Sequence, residues 1–216
     1  MSGMGEARIR REVFWAYVAA FGALWGSLEI TLGSFVNAIR LPLSGAMLAA
    51  MGAAILVSQR QLLPVRGLSL ATGVVAALCK SISPGGIILG PMMGILIEAL
   101  AVELVLSTLP RFWFSAALAG ALAATCTIVQ HVVTLWIYYG GRIIELYIKA
   151  LEGAGEALGL SAEAGWWALA LVALLVASVG ALGGGLGRKL GVEAQRILAQ
   201  RPAEDQPESG VVDGCV

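Results

Sequence analysis

Apolar residues in this 216-residue chain gather into six long stretches, at about 13 to 35, 42 to 58, 67 to 82, 86 to 106, 112 to 138 and 165 to 187. A membrane-crossing helix needs about 20 predominantly apolar residues, within a range of about 17 to 25, so this pattern predicts an all-α integral membrane protein with six transmembrane helices. Backbone N–H and C=O groups in hydrocarbon must be satisfied within the chain, which leaves helices as the form such stretches can take. Only 13% of residues are charged and the mean hydropathy is +0.85, whereas a soluble domain is about 25% charged.

The basic residues set orientation by placement. Arg8, Arg10 and Arg11 precede a first stretch that runs to Phe35, longer than the roughly 7 to 15 residues of a signal-peptide core, so it is read as a retained span. With both termini cytoplasmic, the inner side holds those three arginines together with Arg60, Arg66, Arg111, Arg188, Lys189, Arg196 and Arg201. Only Arg40, Lys80, Arg142 and Lys149 fall outside, as the positive-inside tendency requires. The third stretch is the shortest, and making it re-entrant would place the basic cluster after 187 on the wrong side. Residues 1–200 therefore form one six-helix domain. The tail 201–216, with Pro202, Glu204, Asp205, Pro207 and Glu208, lacks apolar periodicity and is expected to be disordered.

Several ionisable residues lie inside the spans, where a charge costs roughly 2.5 to 3.5 kcal/mol even on insertion scales and marks function by default. In the first span Gly22, Gly26, Glu29 and Gly33 share one face. The fourth repeats the device with Gly86, Gly90, Gly94 and Glu98. Such bare faces serve as packing seams, but a carboxylate ending one needs a partner. The fifth span supplies a stripe of Gly120, Ala124, Thr127, His131, Thr134 and Tyr138, with Gln130 beside it. Counted from the ends, Glu29 and His131 lie in the outer thirds of their helices and Glu98 near the middle, compatible with one cavity open to the outside. His131 is read as a hydrogen-bonding cavity residue or as a structural partner of Glu98 or a threonine. Glu103 lies nearer the cytoplasmic end, where pairing with Arg111 or a docking role stands beside substrate contact as an expectation.

The turn Lys80-Ser81-Ile82-Ser83-Pro84-Gly85-Gly86 fits a helix start, with Ser83 as cap and Pro84 in the first position. Its free N–H groups beside Lys80 suit an anionic or hydroxyl-bearing ligand group; a tight turn with a snorkelling lysine is the plainer alternative. Gly33 to Pro42, with Asn37, has the composition of a gate loop. Residues 142 to 152 read as an amphipathic helix, resting on the membrane or closing as a lid.

Other chemistries find no motif. Zero formal net charge argues against a nucleic-acid partner. The run Gly183 to Gly187 before Arg188-Lys189 lacks the ending of a phosphate loop. No nucleophile–base motif points to an enzyme, a single histidine cannot complete a zinc site, and no cofactor is indicated. Cys79, Cys126 and Cys215 are too dispersed for a disulfide framework.

Size, six spans with both ends inside, an alanine-rich first helix and the glycine-proline-rich start of the fourth (Gly85-Gly86, Gly90-Pro91, Gly94) give a chain that resembles the substrate-binding S-components of energy-coupling factor (ECF) transporters. The likeness covers about residues 10 to 190. It implies a multi-pass protein of the prokaryotic cell (inner) membrane that takes up a small vitamin-like metabolite from outside, with partner ATPase subunits supplying energy. The family's Ala-x-x-x-Ala motif for docking on the membrane-embedded T-component corresponds to Ala16 and Ala20, or to Ala19 and Ala23. The family's pocket, built from the later helices and closed by the first loop, agrees with Glu98, His131, Glu29, Asn37, Lys80 and Gln130 as substrate-binding candidates. Two carboxylates facing a pocket favour a cationic or amine-bearing substrate. The rivals are a standalone small-solute or proton-coupled transporter, with Glu98 and Glu103 as a relay, and a membrane scaffold or assembly protein binding partner helices through its glycine faces.

Overall fold

A computed structural model describes residues 2–38, 44–82, 89–109, 114–140 and 162–200. Within them the chain is all-helical: α1 (Ser2–Ala38), α2 (Ser44–Leu62), α3 (Leu68–Ser81), α4 (Leu89–Thr108), α5 (Ser115–Tyr139) and α6 (Ala162–Gln200). Four are long and apolar enough to cross a membrane, namely Arg10–Val36 of α1, all of α4 and α5, and Ala170–Gln200 of α6. The 14 residues of α3 rise only about 21 Å at 1.5 Å per residue, short of the roughly 30 Å hydrocarbon core. The last turn of the 19-residue α2 carries Gln59, Arg60 and Gln61 before Leu62, which dilute its apolar run. The six expected spans thus resolve into four full-length helices and two shorter ones.

The outer surface is that of a protein in hydrocarbon: many large apolar side chains are exposed although the core is also mainly apolar. Leu24, Phe35, Leu78, Leu104, Leu174 and Leu182 are exposed, while Glu29, Gln59, Arg60, Thr72, Glu98 and Glu103 are buried. Apolar surface turned outward and polar groups turned inward is the arrangement hydrocarbon demands, so the molecule is a membrane-embedded helical bundle. Hydroxyls on the exposed faces follow the same logic: those of Thr31, Ser34 and Ser178 each donate to the carbonyl four residues back, so none is left without an acceptor.

The axis of the bundle is α2, which contacts every other described helix, while α1 meets only α2 and α3 and α6 meets only α2 and α5. Small residues make this central position possible: Ala46, Ala49, Gly52 and Ala53 are buried and let neighbouring backbones approach. The long α6 carries two glycine seams. A Cβ on Gly180 or Gly184 would strike the Gly120 or Ala116 carbonyl of α5, and one on Gly183 or Gly187 would strike the Ala50 or Ala54 carbonyl of α2. The glycine run before Arg188 is therefore a helical packing device.

Two elements differ from the sequence expectation. Helix α1 continues through Gly33 to Ala38, so the first part of the expected gate loop is helical. No proline interrupts the sequence from Gly33 to Ala38, and Gly33 is held against Lys80 of α3. Helix α6 likewise runs on past 187 to Gln200. The Ser83–Gly86 turn, Arg40, the amphipathic stretch 142–152 and the tail 201–216 lie outside the described residues.

Candidate functional site

Tryptophan sets the floor of the first cluster. Trp25 on α1 is fully buried and fits a slot cut by two missing side chains: a Cβ on Gly52 of α2 would lie 2.8 Å from its ring, and Gly73 of α3 faces the same indole. One turn further along α1, Glu29 is 6% exposed. Lys80, in the last turn of α3, donates from Nζ to the Glu29 backbone oxygen at 2.8 Å and stands 4.0 Å from its Oε2. Gly33 makes the room, since a Cβ there would be 3.3 Å from the ammonium. The face Gly22, Gly26, Glu29 and Gly33 is thus the α1–α3 contact, with Val75 and Cys79 opposite Gly22 and Gly26. The two residues expected to contact substrate independently, Glu29 and Lys80, pair with each other.

Helix α4 brings its own glycine face against α5. Gly90 and Gly94 lie opposite Thr134 and Gln130. The Gln130 amide donates from Nε2 to the Gly90 carbonyl at 3.0 Å and to Thr134 Oγ1 at 2.8 Å. One turn below Gly94 the stripe ends at Glu98, 6% exposed, whose Oε2 is buried without a hydrogen-bond partner. Its carboxylate lies within electrostatic reach of Glu29 on α1 and of the Cys126 thiol on α5. An unpartnered carboxylate oxygen in a dry interior is costly. Among the described residues the buried side-chain atoms without a partner belong to Trp25, Arg60, Ser69 and Glu98, and Glu98 Oε2 is the carboxylate oxygen among them.

The second cluster, toward the C-terminal end of α4, engages both oxygens of its carboxylate, while Arg60 Nη1 and Ser69 Oγ within it have no hydrogen-bond partner. Glu103 Oε1 accepts from Gly67 N at 2.7 Å and from Ser107 Oγ at 2.6 Å, and Oε2 accepts from Ser69 N at 3.1 Å. Arg60 closes the network, 3.3 Å from Glu103 Oε1 and 3.0 Å from Ser107 Oγ. The carboxylate caps the N-terminus of α3 from a neighbouring helix, where free N–H groups and the helix dipole both favour an anion. Gly67, at φ 83°, supplies the left-handed turn that aims its N–H there. Among the described residues Glu103 pairs with Arg60; Arg111, its expected partner, lies outside them.

Of the candidates, Glu29 and Lys80 pair on the α1–α3 seam, Glu98 lies within electrostatic reach of Glu29 from α4 on the far side of α3, and Gln130 lies on the α4–α5 seam above Glu98. His131 does not join them: it is exposed on α5, because the helix turns about 100° per residue and Gln130 takes the inward position. Asn37 falls in the last turn of α1, beyond the cluster in sequence. Ala16, Ala19, Ala20 and Ala23 all lie on the exposed side of α1, away from the α3 seam. Sequence reasoning missed Gln59, which is fully buried and bridges Thr72 Oγ1 at 2.8 Å and the Tyr17 carbonyl at 3.2 Å. It also missed the α6 seams, although the four-residue spacings 180–184 and 183–187–191 were visible signals.

Among the described residues no three histidine, cysteine, aspartate or glutamate side chains gather closely enough to hold a metal ion. No protein-family model, curated protein or solved structure matches the chain. Its function must be read from its own residues.

Proposed function

We propose that this protein is a substrate-capture subunit of the prokaryotic cell membrane, of the ECF S-component kind, which binds a small vitamin-like metabolite from the outside. The observation that carries the reading is Glu98: a buried carboxylate oxygen with no partner, at the end of a glycine-lined wall. A carboxylate serving only the fold acquires donors, as Glu103 does; one left without them is kept for a donor that arrives. Gly90 and Gly94 present no side chain toward Thr134 and Gln130 of α5, so a ligand enters by parting this α4–α5 seam, with the Gln130 amide at its edge and the Glu29–Lys80 pair on α1 and α3.

In this mechanism the ligand donates an N–H to Glu98, and its apolar body lies along α4. The exposed alanine face of α1 docks on a membrane-embedded T-component, and separate ATPase subunits drive delivery inward. A standalone transporter with a Glu98–Glu103 relay gains less support, because both Glu103 oxygens are held by fixed donors.

The test is mass spectrometry of small molecules carried through purification by the parent protein and by Glu98→Gln. The expected result is one enriched metabolite with N–H donors, lost in the variant while its helical content is kept. Equal retention by both proteins, or no metabolite with either, rejects the assignment.

A further inference from the structure

The charges around the Glu98 site do not balance. Glu29 on α1 is met by the Lys80 ammonium of α3, while Glu98 on α4, within electrostatic reach of Glu29, has a buried carboxylate oxygen with no hydrogen-bond partner. From α5 the facing groups are the Cys126 thiol and the neutral Gln130 amide, and His131 is turned to the exposed side. The ionisable group near the other end of α2, Arg60, is already engaged by Glu103. With both acids ionised, the interior would hold one uncompensated negative charge, and an isolated buried charge is the arrangement a dry interior tolerates least. The Glu29–Lys80 contact fixes which acid is compensated, leaving Glu98 as the group whose charge must be met from elsewhere.

We propose that the Glu98 site always holds one positive charge, a proton when empty and a cationic N–H group of the ligand when filled, so that ligand entry releases one proton. This rests on the reading of Glu98 as the ligand-facing group. In atoms the exchange is simple: the Glu98 carboxyl loses its proton to water, and the oxygen so freed accepts the ligand's N–H. No covalent bond to carbon changes and no electron moves. It confines proton exchange to one residue and needs no relay to Glu103. It also makes the receptor selective for ligands that bring a positive charge, since a neutral ligand would have to share the site with the proton.

The experiment uses the full chain in phospholipid vesicles after exhaustive dialysis, read by infrared difference spectroscopy, with methylammonium and guanidinium chloride as probe cations. The empty protein should show the carbonyl stretch of a protonated carboxyl group, absent in Glu98→Gln and displaced but retained in Glu98→Asp, which keeps the acid and controls for misfolding. Either cation should erase that band saturably, with apparent affinity tightening about tenfold for each unit rise in pH while the acid form predominates. An unchanged band in Glu98→Gln overturns the proposal, and so does a band that neither cation removes. If a metabolite co-purifies in a Glu98-dependent way but the acid band is missing, the receptor reading stands and the exchange falls. If the cations exchange with the proton but no metabolite is ever captured, the exchange stands and the receptor reading falls.

Discussion

Glu98 and Glu103 lie five residues apart on one helix and have opposite surroundings. Glu103 gathers two backbone N–H groups, a serine hydroxyl and an arginine, whereas Glu98 has a carboxylate oxygen with no donor at all. The two face different neighbours because five residues turn the helix by about 500°, or 140° beyond a full turn. Glu103 meets the start of α3, where free N–H groups exist to be capped. Glu98 meets a glycine-lined seam, where the surrounding helices are in mid-course and have spent their donors on one another. The lesson is that an acid inside a membrane helix is not by itself a functional marker; whether its oxygens are occupied separates clasp from site.

The largest effect should come from breaking the clasp. Glu103→Ala leaves Arg60 buried without its counter-ion and uncaps α3, a loss of about 3 to 5 kcal/mol by the usual cost of splitting a buried pair, read as a fall in thermal midpoint in detergent with helical content followed by circular dichroism. A Glu103 variant as stable as the parent would erase the contrast.

The Glu29–Lys80 pair sits between the two extremes, with one firm hydrogen bond and a longer ionic contact. A double-mutant cycle with Glu29→Gln and Lys80→Met should give a coupling of about 1 to 3 kcal/mol; additivity of the single effects would mean that the pair does not act as a unit.

Glu98→Gln should change stability by less than about 1 kcal/mol, because it exchanges a protonated, neutral carboxyl for a neutral amide of nearly the same shape, while abolishing metabolite retention. A destabilisation matching that of Glu103→Ala would make Glu98 a second clasp. Gly94→Ala should have the smallest effect on the fold, since its Cβ would stand 3.4 Å from Gln130 Oε1, an ordinary contact. If that wall holds the ligand, the added methyl weakens capture by about tenfold with under about 1 kcal/mol lost in stability; unchanged capture would move the ligand away from the α4 face.

Much of this could be read along the chain. The apolar stretches fix the helices because hydrocarbon accepts no unsatisfied backbone, and the glycine spacings on α1 and α4 fix which faces pack. The boundaries were harder. At Gly33, where the helix continues to Ala38, Lys80 of α3 and Leu48 of α2 lie alongside, information that local composition does not contain. Gln130 and His131 could not be ranked either, since both belong to a broad polar face and only the position of α4 decides which turns inward.

The sequence by itself determined that this is a helical membrane protein with acids buried on glycine-lined faces, because those properties depend on period and polarity within single segments. Which acid is satisfied was decided by tertiary structure alone. Gly67 lies 36 residues before Glu103 and Lys80 lies 51 residues after Glu29, and no local pattern specifies donors delivered from such distances. Only the packing of α1, α3 and α4 pairs Glu29, caps with Glu103 and leaves Glu98 open.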